Sequence, residues 1–307
     1  MTTAFITHRD CWQHDMGAHH PECPDRLDAI SDRLIAAGLD LYLSYHDAPL
    51  VQMEQLLRVH PRAHVEAIES CAPAHGIIHV DPDTAMSPGT WKAILRSAGA
   101  GVLATDLVMK GEAAAAFCGI RPPGHHAERA RAMGFCFFNN VAVAAMHGIE
   151  AWGLSRVAIV DFDVHHGNGT EDIFAGDSRV LMVGTFQHPF YPYSGTENPA
   201  PNMCNVPLPA GTRGDGFRQV VTDIWLPRLR AFAPEIIYVS AGFDAHYEDD
   251  MASLGLVDAD YAWVTQQLKA VAAESAQGRI VSMLEGGYAL SALARSAAAH
   301  IKVLSDL

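Results

Sequence analysis

Two carboxylates and two imidazoles are packed into the stretch Asp161-Phe162-Asp163-Val164-His165-His166, which runs on into Gly167-Asn168-Gly169. Carboxylate oxygen and imidazole nitrogen suit a divalent ion such as zinc, and a catalytic site keeps one coordination position open for water or substrate. In an extended segment, residues two apart point to the same side, so Asp163 and His165 can hold one ion between them. Asp244, in Ser240-Ala241-Gly242-Phe243-Asp244-Ala245-His246, is the natural third ligand. A second imidazole pair, His125-His126, follows the rigid approach Pro122-Pro123-Gly124. A histidine whose other nitrogen bonds a carboxylate is held in one tautomer and made more basic. Asp161, not needed as a ligand in this scheme, is the expected partner of His125, and Asn168 that of His126. Tyr288 follows Gly286-Gly287, where flexible backbone can set a phenol at the edge of a pocket. One such donor aimed at a developing oxyanion contributes ~3 kcal/mol. A metal that lowers the pKa of bound water toward about 7, a histidine to take the proton and a phenol to steady the oxyanion make a hydrolytic set. No Ser or Cys nucleophile is required, and amide hydrolysis fits best.

Each of these groups follows a short apolar run. Buried strands are expected at Ala114 to Ile120, Arg156 to Asp161, Arg179 to Thr185, Glu235 to Ser240 and Arg279 to Leu284, because near-continuous hydrophobicity marks strands covered on both faces. Helical segments lie between and around them, at Pro88 to Met109, Asn139 to Trp152, Gly214 to Phe232, Asp258 to Ala276 and Leu290 to Leu304. The alternation predicts an α/β fold with a mostly parallel central sheet flanked by helices. Ligands of such sheets bind outside the carboxyl ends of the strands, so the five strand-end loops are expected to converge. The first 83 residues look less regular, apart from an amphipathic helix from Asp25 to Ala37 ended by Gly38. No linker, repeat or low-complexity tract separates them, and 1–307 is expected to be a single domain.

Composition narrows the partners. The formal charge of −14 argues against nucleic-acid binding, which needs cations to neutralise phosphates, and favours a cationic small molecule or lysine-bearing peptide. No apolar run approaches the ~20 residues of a membrane span, and the N-terminus lacks an export signal. Six cysteines scattered without a C-x-x-C pair suit a reducing compartment. A cytoplasmic protein is expected.

Five ordered motifs carry a resemblance: Arg121-Pro122-Pro123-Gly124-His125-His126, Gly134-Phe135-Cys136-Phe137-Phe138-Asn139-Asn140, Asp161 to Thr170, Ser240 to His246, and Glu285-Gly286-Gly287-Tyr288. With His20-Pro21-Glu22-Cys23-Pro24-Asp25-Arg26-Leu27 they span nearly the whole chain and resemble the zinc-dependent histone deacetylase family, in its class II and bacterial amidohydrolase branch. The resemblance implies the arginase/deacetylase α/β fold and one Zn²⁺ on Asp163, His165 and Asp244. It makes His126 the proton shuttle, His125 the electrostatic partner tied to Asp161, and Tyr288 the carbonyl polariser. Asn168, where other branches carry Asp, agrees with class II. Phe135 and an aromatic from Phe190-Tyr191 would wall a tunnel for an acyl-lysine stem, with Gly134 and Gly286 also in the substrate-binding set. The family further implies K⁺ near the zinc, through Asp161, Asp163, His165, Thr185 and Phe186, and a second monovalent site involving Phe174 and Val180. Asp83 stands where a rim carboxylate would bind substrate backbone, or else caps the helix beginning near Pro88.

Family members act on acetyl-lysine in proteins, on acetylated polyamines or on other acyl amides. Polyamine-selective members carry a rim glutamate, and the matching position, seven past Asp244, is Met251 here. That points away from polyamines, although Glu248, Asp249 and Asp250 lie nearby. A dinuclear manganese cluster of the arginase kind is poorly supplied, since Gly167 and His246 occupy places where further aspartates would be needed. A non-catalytic acyl-lysine reader would be expected to have lost Tyr288 or one of the paired histidines. Homo-oligomerisation stays open.

Overall fold

The computed structural model describes residues 2–307. Its strands are β1 (Thr3–Thr7), β2 (Leu43–Asp47), β3 (Ile78–Asp81), β4 (Thr84–Met86), β5 (Ala115–Cys118), β6 (Val157–Asp161), β7 (Val180–Gln187), β8 (Met203–Leu208), β9 (Ile236–Ala241) and β10 (Ile280–Leu284). The helices are α1 (Asp25–Ala36), α2 (Met53–Leu56), α3 (Arg62–Ser70), α4 (Thr90–Met109), α5 (Asn140–Trp152), α6 (Asn168–Phe174), α7 (Gly214–Val220), α8 (Leu226–Phe232), α9 (Asp258–Ser275) and α10 (Leu290–Leu304). Eight strands form one sheet in the order β2-β1-β5-β10-β9-β6-β7-β8, and every pairing in it is parallel. The remaining pair, β3 and β4, makes a small antiparallel ribbon.

Parallel strands need crossover connections, and the helices that supply them fall into two groups. One is α4 with α5; the other is α1, α9 and α10. Covered in this way, every residue of β5, β6, β7, β9 and β10 is buried, which is why those runs are apolar almost throughout. Helix α1 presents Leu27, Ile30 and Leu34 on its buried face and ends before Gly38, whose φ of +66° suits a residue without a side chain. No helix among the described residues is long and apolar enough to cross a membrane.

Strand order explains the convergence of the motif loops. The five strands that lead into them, β5, β10, β9, β6 and β7, are consecutive across the sheet. Their ends are level: Asp161 lies opposite Ser240 and Gly184, and Leu284 opposite Ala241. Loops far apart in the chain therefore emerge side by side.

Three departures from the sequence reading have physical causes. The N-terminal portion is more regular than its sequence suggests, giving the sheet β1 and β2, whose five-residue lengths and mixed polarity leave little periodic signal. Strand β8 carries Pro207, which an edge position tolerates because its outer side needs no N–H. The helix expected from Gly214 to Phe232 contains a π-helical turn over Val221–Trp225, dividing it into α7 and α8.

A buried ion cluster ties the N-terminal portion to the sheet. Glu22 is fully buried, and Arg121 grips it with two bonds, Nε to Oε1 at 2.5 Å and Nη2 to Oε2 at 2.7 Å. Arg26 adds a third bond, to Oε1 at 3.1 Å. Burial alone would raise the Glu22 carboxyl, but Arg121, His14 and Arg26 together hold it well below its usual range. Removing one partner of a buried pair strands the others, at a cost of about 3–5 kcal/mol. Glu22→Ala should therefore lose stability of that order in chemical denaturation, whereas a loss below about 1 kcal/mol, the value of an exposed pair, would show that the cluster is not structural.

Candidate active site

Asp163, His165 and Asp244 meet as a buried trio, with one ligand atom from each within 4.8 Å of the others. The turn after β6 supplies the first two: Asp163 Oδ1 accepts the His165 amide at 2.8 Å, and the His165 ring places Nδ1 3.0 Å from the same oxygen. The turn after β9 supplies Asp244, whose Oδ1 accepts the Val164 amide at 2.9 Å. Gly286, after β10, donates its amide to Asp163 Oδ2 at 2.8 Å. A Cβ on Gly286 would lie 2.0 Å from Asp244 Oδ2, so only glycine permits this approach.

The donor set fits a divalent cation. Asp244 Oδ2 is buried and lacks a hydrogen bond, although His165 Nδ1 stands 3.3 Å away. Burial opposes charge on His165, yet Asp163 and Asp244 raise it to about 10. Burial and the neighbouring Asp163 raise Asp244 to about 6. A trio that holds a proton this firmly is short of positive charge, which an ion on the two carboxylates and the imidazole would supply.

The imidazole pair sits beside the trio. His125 Nδ1 lies 2.9 Å from Asp161 Oδ2, and its Nε2 lies 3.8 Å from Asp163 Oδ1. Burial disfavours its cation, but Asp163 and Asp161 outweigh that and raise it well above the ordinary histidine value. His126 Nδ1 lies 2.8 Å from Asn168 Oδ1, and the Asn168 amide nitrogen donates to Glu128. The oxygen is thus the acceptor, so His126 carries its proton on Nδ1 and leaves Nε2 bare. Burial, reinforced by His125 and His165, holds His126 well below the usual value. One ring is kept charged and its neighbour neutral.

Contacts not foreseen from the sequence hold these loops. Glu285 Oε2 accepts the amides of Gly124 and His125 at 2.7 and 3.1 Å. Arg26 donates Nε to the Gly287 carbonyl at 2.6 Å and Nη2 to that of Glu285 at 2.5 Å. Its guanidinium lies 4.9 Å from the Tyr288 ring centroid. Burial pushes the Tyr288 phenol well up, with Arg26 opposing and Asp244 and Asp163 adding to the rise, so the hydroxyl keeps its proton.

A cavity of 240 Å³ reaches the trio at His165. His126 and His165 form its buried end, with Tyr288 beside them, and Phe135, Phe190 and Tyr191 wall it. The Phe190 ring stacks on His165 at 5.5 Å, and the Tyr191 ring stands edge-on to His126 at 5.3 Å, so both Phe190 and Tyr191 reach the site. Phe135 stands edge-on to Tyr288 at 6.0 Å and takes φ +67°, a backbone costing about 1–2 kcal/mol. Its amide is held by Thr84 Oγ1 at 3.0 Å, and that of Gly134 by Asp83 Oδ1 at 2.9 Å. Asp83 lines the cavity together with Gly134 and Met251. It caps no helix, since the cap of α4 is Gly89.

Thr185 and Phe186 are buried near the end of β7, beside the loop of Asp161, Asp163 and His165. Phe174 and Val180 lie close together, before and at the start of β7. Their carbonyls converge with that of Asp177 on Asn202 Nδ2, at 2.8, 3.0 and 3.1 Å. The amide is oriented by Gly176, whose N–H donates to Asn202 Oδ1. The Asn202 amide nitrogen thus shares its two N–H donors among three carbonyls.

The chain as a whole is similar to known proteins. Residues 20–304 match the model of the histone deacetylase domain. A probable deacetylase of Archaeoglobus fulgidus is 35% identical over 302 residues, covering 94% of this chain and 82% of its own. A histone deacetylase-like amidohydrolase of Pseudomonas aeruginosa is 36% identical over 93% of this chain and 81% of its own. Among solved structures, the HDA15 HD domain superposes with a TM-score of 0.93 at 32% identity, over 99% of this chain and 88% of that one. Matched by the domain model over residues 20–304 and by relatives 35% and 36% identical along most of their length, the chain belongs to the histone deacetylase family.

Proposed function

We propose that residues 1–307 form one zinc-dependent deacetylase domain that removes acetyl or other acyl groups from lysine side chains. The observation that carries this reading is the buried trio of Asp163, His165 and Asp244, whose His165 lines a cavity shared with a neutral histidine and a protonated phenol. Held by the trio, zinc would polarise the amide carbonyl and acidify a water. His126 Nε2 then takes the proton of the attacking water and passes it to the departing lysine nitrogen. His125, kept cationic by Asp161 and Asp163, stabilises negative charge as it builds. The Tyr288 hydroxyl donates to the carbonyl oxygen as that atom gains charge. Phe135, Phe190 and Tyr191 exclude water from the lysine stem. A potassium ion belongs to the same proposal, through Asp161, Asp163, His165, Thr185 and Phe186. All six cysteines are free, which agrees with a cytoplasmic setting.

The cavity lip supports lysine over polyamine. Met251 is apolar, and two of the three acidic neighbours are engaged elsewhere. Glu248 pairs with Arg295 at 2.7 Å, and Asp249 is buried and occupied by backbone amides. Of these three neighbours only the exposed Asp250 is left to receive a secondary ammonium.

Tyr288→Phe should lower kcat/KM for an acetyl-lysine peptide by about 10²–10³, and His126→Ala by about 10²–10⁴, with bound zinc unchanged in both. A parent-like rate in either variant would contradict the role given to that residue. Met251→Glu should shift the ratio of kcat/KM toward N-acetylated polyamines by about tenfold, equivalent to ~1.4 kcal/mol of discrimination. An unchanged ratio would show that the lip does not choose the substrate.

A further inference from the structure

We propose that Asp249 is a positioning residue that fixes Tyr288 in its reactive pose and couples it to the cavity lip, an inference that rests on the deacetylase reading above. Tyr288 follows Gly286-Gly287, and Gly287 takes φ +119°, so the chain leading to the phenol is intrinsically loose. Its ring contacts, edge-on to Phe135 and over the Arg26 guanidinium, are not strongly directional. The main chain must therefore set where the hydroxyl lies. On one side Arg26 holds the carbonyls of Glu285 and Gly287. On the other, Asp249 Oδ2 accepts two successive amides, Tyr288 at 2.6 Å and Ala289 at 2.9 Å.

The second Asp249 oxygen faces the other way. Oδ1 accepts the amide of Met251 at 3.0 Å, and Met251 lines the cavity. Asp249 is itself seated by its own N–H, which donates to the His246 carbonyl at 2.9 Å, and only 5% of its surface is exposed. One buried carboxylate thus spans the loop after β9 and the loop after β10 through charge-assisted bonds, the stronger class of hydrogen bond. Asp249 does not line the cavity, so it acts on the reaction through the residues it holds, Tyr288 first among them. A substrate pressing on Met251 moves the same carboxylate that orients the phenol.

The test is a double-mutant cycle on zinc-loaded full-length protein with an acetyl-lysine peptide, comparing the parent, Asp249→Ala, Tyr288→Phe and the double variant. Asp249→Ala is expected to lower kcat by about tenfold to a hundredfold, the cost of misplacing a catalytic group by about 1 Å. KM should stay within about twofold, and the bound metal should be unchanged. The double variant should be no more than about twofold slower than Tyr288→Phe, because residues acting as a unit are not additive. Asp249→Asn, which keeps an oxygen acceptor, should recover part of the rate. In metal-free protein the Tyr288 and Ala289 amides should exchange hydrogen at least about tenfold faster in Asp249→Ala. Losses that multiply in the double variant, or a parent-like kcat in Asp249→Ala, would overturn the inference. So would failure of both Asp249 variants to fold, which would make the residue purely structural. A parent that hydrolyses no acyl-lysine would instead bring down the deacetylase reading, and this inference with it.

Discussion

Four carboxylates, Asp161, Asp163, Asp244 and Glu285, are buried together at one end of a parallel sheet, and the rest of the structure answers that concentration of negative charge. Burying an ionised carboxylate costs several kcal/mol unless cations and hydrogen bonds compensate it. Main-chain amides provide part of the compensation, from Val164, His165, Gly286, Gly124 and His125. The imidazoles of His125 and His165 provide more, and both are driven toward their charged forms by the carboxylates around them. Even so, burial lifts Glu285 to about 7 and, with Asp163, lifts Asp244 to about 6. A cation on the trio would complete the balance.

The same demand accounts for the scaffold. Amides and side chains can crowd around buried carboxylates only if several strand ends meet at one level, which the consecutive β5, β10, β9, β6 and β7 achieve. It accounts too for the contrast between two adjacent rings whose centroids are 4.1 Å apart. His125 faces Asp161 and Asp163 and is charged. His126 faces the amide of Asn168 and two other imidazoles and is neutral, as a base must be before it accepts a proton. Burial is common to both, so the neighbours decide the sign.

Much of this was legible in the residues themselves, because the site is built from short local motifs at strand ends. The single-residue spacing between Asp163 and His165 and the apolar runs before each motif pointed to the candidate ligands and the central strands. What escaped were interactions whose partners are main-chain atoms of distant loops. Glu22, Arg26 and Glu285 lie inside quoted motifs, yet nothing in their spacing says that Arg26 grips the carbonyls of Glu285 and Gly287. Asn202 is hidden for the same reason: its three partners are carbonyls, which every residue possesses, so no residue type marks the nest it fills. Strands β2 and β8 escaped because they form the sheet edges, where partial burial removes the continuous apolar signal.

The central claim is that the trio needs one divalent cation both for charge balance and for chemistry. Its most direct test is to strip the protein with a chelator and titrate zinc back, following bound metal, thermal midpoint and acetyl-lysine hydrolysis together. The account predicts that all three saturate at one zinc per chain, and that Asp244→Asn weakens all three. Hydrolysis that persists in folded protein without a divalent ion, or that saturates only at two equivalents of manganese, would contradict it.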